Sequence, residues 1–88
     1  MAQSLSAKKR IRQNARRRAR NRWRRDQIKD AVKAFDAALK AGNKDKADES
    51  LRLCYKKLDQ IASKGTIHKN AASRRKARLT RRMNAAFQ

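Results

Sequence analysis

Residues 12–25, RQNARRRARNRWRR, hold eight arginines in fourteen positions, with no lysine and no acid among them. The planar guanidinium of arginine binds phosphates through two parallel hydrogen bonds and also stacks on bases. Charges of one sign at this density repel one another, so the run is best explained by a polyanionic partner. We predict that it binds nucleic acid and that it is frayed alone and orders on binding.

A second basic stretch, KGTIHKNAASRRKARL at residues 64–79, surrounds the one histidine of the chain, His68. A lone histidine is usually a structural hydrogen-bonding group, but beside Lys69 and Asn70 it is equally suited to contact RNA. Formal charge is +11 over residues 1–25, +1 over 26–62 and +8 over 63–88. A nearly neutral middle between two basic segments is typical of a polyanion-binding protein with its core in the middle.

Other classes fit this pattern less well. A membrane-surface helix or a mitochondrial presequence needs a broad apolar face, whereas the first segment has arginines almost all round. A surface that is merely solvated usually mixes charges of both signs. An architectural protein that compacts DNA without sequence specificity stays open as the alternative. With one histidine and one cysteine, we predict no catalytic site, no metal and no cofactor.

The chain has no proline, and its two glycines, Gly42 and Gly65, separate three segments rich in alanine and arginine. We predict helices at residues 6–41, 45–63 and 68–86, because glycine commonly follows a helix end. The proposed N-terminal caps are Ser4 or Ser6, then Asn43 or Asp45, then Thr66. Apolar residues spaced three or four apart predict the buried faces: Ile28, Val32, Phe35 and Leu39; Ala47, Leu51, Cys54, Leu58 and Ile61; Ala72, Leu79, Met83 and Ala86.

The predicted fold is all-α, a three-helix antiparallel bundle in a single domain of residues 1–88. The first helix is about 50 Å long and the others about 29 Å, so residues 1–25 project as a basic helical extension beyond a bundle of residues 26–88. The face that continues from Ile28 into the extension carries Arg24, Asn21, Arg17, Asn14 and Arg10. The same lengths bring His68, Lys69 and Asn70 beside Asn21, Arg24 and Arg25. Trp23 can either stack on a base or cover the bundle.

Several motifs make the chain resemble a known family: SAKKR at 6–10, Asn21 followed by Arg24 and Arg25, AGNK at 41–44, and KGTIHKN at 64–70. It resembles the bacterial small-subunit ribosomal protein S20 family. The resemblance implies a structural constituent of the 30S subunit that binds 16S rRNA directly and early in assembly. It further implies contacts to the 5′ domain and the 3′ minor domain, a monomer within the ribosome, and no enzymatic activity. We therefore expect a cytoplasmic, ribosome-bound protein.

The resemblance carries RNA binding over to twelve positions: Lys8, Lys9, Arg10, Asn21, Arg24, Arg25, His68, Lys69, Asn70, Arg74, Lys76 and Arg78. The two basic segments add Asn14, Arg17, Arg75, Arg81 and Arg82. The chain departs from the family at Asp26 and Asp30, where Ser and Thr are usual, and these acids could pair with Arg22 or Lys33. Trp23 also stands where a small or polar residue is usual.

Overall fold

Three helices account for nearly all of residues 5–87, the part of the chain that the computed structural model describes. They are α1 (Leu5–Lys40), α2 (Lys44–Ser63) and α3 (Lys69–Ala86). The all-α, three-helix prediction is confirmed, and each predicted helix boundary lies within one residue of the observed one. Over the described residues, no helix is both long and apolar enough to cross a bilayer.

The two glycines end α1 and α2 in the same way. Gly42 and Gly65 have φ angles of +70° and +82°, a left-handed backbone that glycine adopts without steric cost. At each end the glycine N–H bonds to the carbonyl three residues back, and the next N–H bonds to the carbonyl five residues back, at 3.0–3.3 Å. This is the Schellman motif. Space around both glycines is open, so the backbone angle alone selects glycine.

The helix starts confirm some predicted caps and correct others. Asn43 caps α2 by accepting a hydrogen bond from Lys46 N at 3.1 Å. This confirms the first of the two predicted caps, Asn43 or Asp45. The cap of α3 is His68, so the prediction of Thr66 was wrong, because Thr66 belongs to the turn that ends α2. Ser6 lies inside α1 and is not a cap. Ser4 is outside the described residues.

The core confirms the predicted stripe of α2 in full and adjusts the other two. On α1, Ile28 and Phe35 are buried, but Ala31 and Ala38 take the places predicted for Val32 and Leu39. Val32 and Leu39 are only partly buried against the core, because the buried face of α1 is turned toward its two alanines. On α3, Ala72, Leu79 and Met83 are buried, whereas Ala86 is exposed and Phe87 packs against the core instead.

The helix α2 lies between its two neighbours. It packs along both α1 and α3, while α1 and α3 approach each other only weakly. Cys54 on α2 is 1% exposed, which confirms its predicted burial. That burial, reinforced by the nearby charge of Asp36, raises the pKa of the Cys54 thiol above its ordinary value. The thiol is therefore a small packing group rather than a reactive one.

The N-terminal half of α1 lies outside this packing. Its first buried residue is Ile28, and none of residues 5–27 is buried. A compact chain of 88 residues has a radius of gyration of about 12 Å, whereas this one has 17.7 Å and a longest dimension of 65 Å. The projecting helix accounts for the difference.

We predict that deletion of residues 1–20 leaves the bundle folded. None of residues 5–20, the described part of the deleted segment, is buried, and the deletion relieves repulsion among arginines. The midpoint of thermal unfolding should therefore move by less than about 5 °C. Circular dichroism at 222 nm measures the transition. Loss of cooperative unfolding in the shortened chain would show that the core extends into the deleted segment.

Candidate nucleic-acid interface

Cationic and amide side chains line the whole projecting part of α1. Most of the residues predicted there are exposed, and only two are half-buried. The exposed ones are Lys8, Lys9, Arg10, Asn14, Arg17 and Arg25, and the half-buried ones are Asn21 and Arg24. The described part of this segment, residues 5–25, carries no acid, so nothing on it offsets the positive charge.

A hydrogen-bonded junction fixes the loop before α3 against α1. The hydroxyl of Thr66 donates to Asn21 Oδ1 at 3.0 Å and accepts from Arg24 Nη1 at 3.1 Å. The two basic segments therefore meet at one end of the bundle, as the helix lengths predicted. Sequence reasoning assigned Thr66 to a helix cap and missed this role. The available signal was its place directly after Gly65, in the loop expected to reach residues 20–25.

His68 acts first as a structural group at this end. Its Nδ1 accepts the N–H of Asn70 at 3.1 Å, which places the proton of the neutral ring on Nε2. His68 is exposed, as are Lys69 and Asn70. The interpretation of His68 as a structural hydrogen-bonding group is thus confirmed, and its contact with RNA stays a prediction.

A cationic groove of about 690 Å³ runs between α1 and α3. Its floor is apolar and consists of Val32, Leu58, Ile67 and Leu79. Six cations line it, with Asp26 as the one acid: Arg25, Lys29 and Lys33 from α1, and Arg75, Arg78 and Arg82 from α3. We call this surface the α1–α3 groove.

Two of these groove cations, Lys29 and Lys33, were missed as site residues. They lie in the segment whose charges nearly cancel, so a count by segment concealed them. Arg25, Lys29 and Lys33 follow one another at intervals of four residues, which puts all three on one helix face. That spacing was the signal that could have identified them.

Two of the predicted site residues have partners within the bundle. Lys76 Nζ lies 3.1 Å from each carboxylate oxygen of Asp59 and 5.3 Å from the centre of the Tyr55 ring. Arg82 pairs with Asp36 of α1 and lies 5.8 Å from the centre of the Phe35 ring. Lys76 thus ties α3 to α2, and Arg82 ties α3 to α1.

The remaining predictions concern two arginines of α3, the acids Asp26 and Asp30, Trp23 and metal binding. Arg74 and Arg81 are exposed on α3. Ion pairs among residues 5–87 involve only Asp36 and Asp59, so the suggested pairing of Asp26 and Asp30 with Arg22 or Lys33 is not formed. Trp23 is 61% exposed, which excludes the interpretation that it covers the bundle. Within the same residues, no three His, Cys, Asp or Glu side chains lie close enough to hold a metal ion.

The fold and the charged surfaces define a small, all-helical protein with two strongly basic surfaces that meet at one end of its bundle. Comparison with known proteins narrows this class. The model of the family "Ribosomal protein S20" matches residues 2–84, and the chain belongs to that family. It is 48% identical to small ribosomal subunit protein bS20 of Alkaliphilus metalliredigens, over 99% of this chain and 100% of that protein.

Two other relatives carry the same name. The chain is 46% identical to bS20 of Clostridioides difficile over 96% of each protein. It is 49% identical to bS20 of a Mycobacterium species (strain JLS), over 96% of this chain and 98% of that protein. These matches cover the projecting helix as well as the bundle, so the family resemblance of the sequence motifs is confirmed along the chain.

The junction at Thr66 makes a testable contribution to stability. Replacement Thr66→Val keeps the shape and removes the hydroxyl, so it should cost about 1 kcal/mol of the free energy of unfolding. In a double-mutant cycle with Asn21→Ala, measured by thermal unfolding, we expect a coupling of at least about 0.5 kcal/mol.

Ser63→Ala is the matched control. It also deletes a hydroxyl, three residues earlier, whose hydrogen bond to Gln60 O is exposed, and it should change stability by less than about 0.5 kcal/mol. Strict additivity of Thr66→Val and Asn21→Ala would mean that the junction does not hold in solution.

Proposed function

We propose that this protein is a structural constituent of the small ribosomal subunit that binds 16S rRNA directly and helps its assembly. The observation that carries the proposal is the convergence of two basic segments, far apart in sequence, at the Thr66 junction and along the α1–α3 groove. Membership of the ribosomal protein S20 family supports it. The family is a structural one, and we assign no catalytic role.

The mechanism follows from the placement of the charges. Arginines and lysines neutralise phosphates and release their counterions, which supplies affinity without reading many bases. The bundle, residues 26–88, fixes the angle between the projecting helix and the groove, so a folded RNA is recognised by its shape. Residues 1–25 serve as a basic extension that follows the RNA away from the bundle. Two surfaces at a fixed angle suit a junction between two RNA segments.

We assign the two segments to two parts of the rRNA, the 5′ domain and the 3′ minor domain, with the protein acting as a monomer on the cytoplasmic ribosome. The proposed contact residues are those predicted from the sequence, with Lys29 and Lys33 added from the groove. Lys76 and Arg82 have a different role, because each forms an ion pair with a carboxylate of the bundle, Asp59 and Asp36 respectively. They position α3 and contribute less to phosphate binding than Arg75 and Arg78.

Filter binding tests the proposal. The protein is titrated against a transcript of the 16S 5′ domain with magnesium at about 150 mM salt, in the presence of excess random DNA duplex. We expect the rRNA to stay bound despite the competitor. If about ten phosphates are neutralised, the slope of log affinity against log salt should lie between roughly −7 and −9.

Each contrary result has a distinct meaning. Equal competition by DNA would identify a non-specific, DNA-compacting type of protein instead. A slope near −2 would show that one or both basic segments do not engage the RNA. The chain without residues 1–20 should retain its fold and lose rRNA affinity by orders of magnitude.

A second prediction tests whether a cation in the α1–α3 groove contributes more to rRNA binding than an exposed cation elsewhere on the bundle. Arg78→Gln removes one exposed groove cation, so it should weaken rRNA binding several-fold and reduce the magnitude of the salt slope by about one. Arg52→Gln removes the same charge from an exposed position on α2, outside the α1–α3 groove, and should leave the slope unchanged. Equal effects of the two variants would mean that the groove is no preferred site.

A further inference from the structure

Trp23 is a large apolar side chain placed in an unusual setting. It is the one tryptophan of the chain, and 61% of it is exposed. The hydrogen bonds and cation–ring contacts found among residues 5–87 do not include it. Tryptophan has a large apolar surface and is enriched at binding interfaces.

The fold prevents Trp23 from turning into the bundle. Asn21 and Arg24, which hold the Thr66 junction, fix the rotation of α1 at this point. At 100° per residue, Trp23 lies about 160° round the helix from Asn21 and 100° from Arg24. Its side chain therefore stays on the outer side of α1, away from the junction.

The same outer face carries three arginines. Arg12, Arg16 and Arg20 precede Trp23 by eleven, seven and three residues, spacings that put all four on one side of a helix. All four are exposed. The aromatic ring thus ends a row of guanidinium groups spaced by about one helical turn each, roughly 5–6 Å apart along the axis.

A protein partner is a poor match for this face. The other exposed large apolar residues of the described chain are Leu5, Ile11 and Leu53, and none of them adjoins Trp23. Ile11 is twelve residues away, about 18 Å along α1, and Leu53 lies beside Ala34 and Ala37, which are more than ten residues, or about 16 Å, from Trp23. Between Ile11 and Trp23 this line of the helix carries only the small side chains of Ala15 and Ala19. Trp23 therefore belongs to no broad apolar patch of the kind that protein interfaces bury.

We propose that Trp23, Arg16 and Arg20 form a stacking site for an unpaired nucleobase of the bound RNA. The indole ring stacks on the base, and the two guanidinium groups, which lie on one side of the ring along α1, bind phosphates of the strand that leads to that base. Sequence-tolerant recognition of single-stranded nucleic acid uses this combination of aromatic platform and cationic track. The inference rests on the proposed function and adds a base contact to a surface otherwise expected to bind phosphates.

The experiment uses Trp23 as its own reporter. Because the chain has one tryptophan, its fluorescence on titration with the 16S 5′-domain transcript reports on this site alone, and stacking on a base quenches indole emission. We expect strong quenching that saturates with the filter-binding curve. Trp23→Ala should weaken rRNA binding about 5- to 150-fold, the range for one aromatic–base stack.

Three variants separate stacking from other contacts. Trp23→Phe keeps an aromatic face and should recover most of the lost affinity, whereas Trp23→Leu keeps apolar volume alone and should not. Ile11→Ala, at an exposed apolar residue twelve positions before Trp23 on the projecting helix, should bind like the parent protein. Thermal unfolding should be unchanged in all of them, since none of these residues is in the core.

The possible failures are distinguishable. If the parent protein binds the transcript but its emission does not change, or Trp23→Ala binds as tightly as the parent, Trp23 is not at the interface and the proposed function still stands. Equal rescue by Leu and Phe would replace base stacking with a general apolar contact. If the parent protein shows no preference for the rRNA, the proposed function fails, and the stacking site fails with it.

Discussion

The apolar face of α2 is the interaction on which the rest of this structure depends. A chain with a formal charge of +20 resists compaction, and α1 and α3 both carry dense positive charge and barely contact each other. The stripe from Ala47 to Ile61 is what both of them bury. Hydrophobic burial is non-directional and independent of charge, so it can hold two mutually repelling helices on either side of a third.

This arrangement also explains the α1–α3 groove. Two cationic helices that pack on a common neighbour, and not on each other, leave a channel whose walls are positive and whose floor is the apolar face beneath. Asp36 and Asp59 limit the repulsion at the bundle by pairing with Arg82 and Lys76. Exposed pairs of this kind contribute little energy individually, so their main effect is to set the position of α3. The seven acids all lie between residues 26 and 59, on the parts of α1 and α2 that belong to the bundle.

Much of the candidate site could be predicted from sequence because the signals were local. The arginine run, the absence of acids in two segments and the motif KGTIHKN are visible without a fold, and helix lengths were enough to bring residues 64–70 beside residues 20–25. The site residues that sequence reasoning missed depend on contacts between segments. Thr66 was taken for a cap because its hydroxyl suits that position, yet the backbone continued three residues further before α3 began. The four-residue spacing of Lys29 and Lys33 from Arg25 shows a shared helix face, but only the position of α3 makes that face one wall of a groove.

The sequence by itself determined the three helices, their glycine ends, the apolar stripe of α2 and the exposure of the basic extension, since each follows from residue type and spacing along one segment. The tertiary structure alone decided which cations are free and which are held by Asp36 and Asp59, which hydroxyl joins the two basic segments, and which way Trp23 faces. Those outcomes depend on the rotation of each helix about its axis relative to its neighbours. That rotation is set by the packing of small side chains such as Ala31 and Ala38 against α2, and an apolar pattern read along a single helix does not contain it.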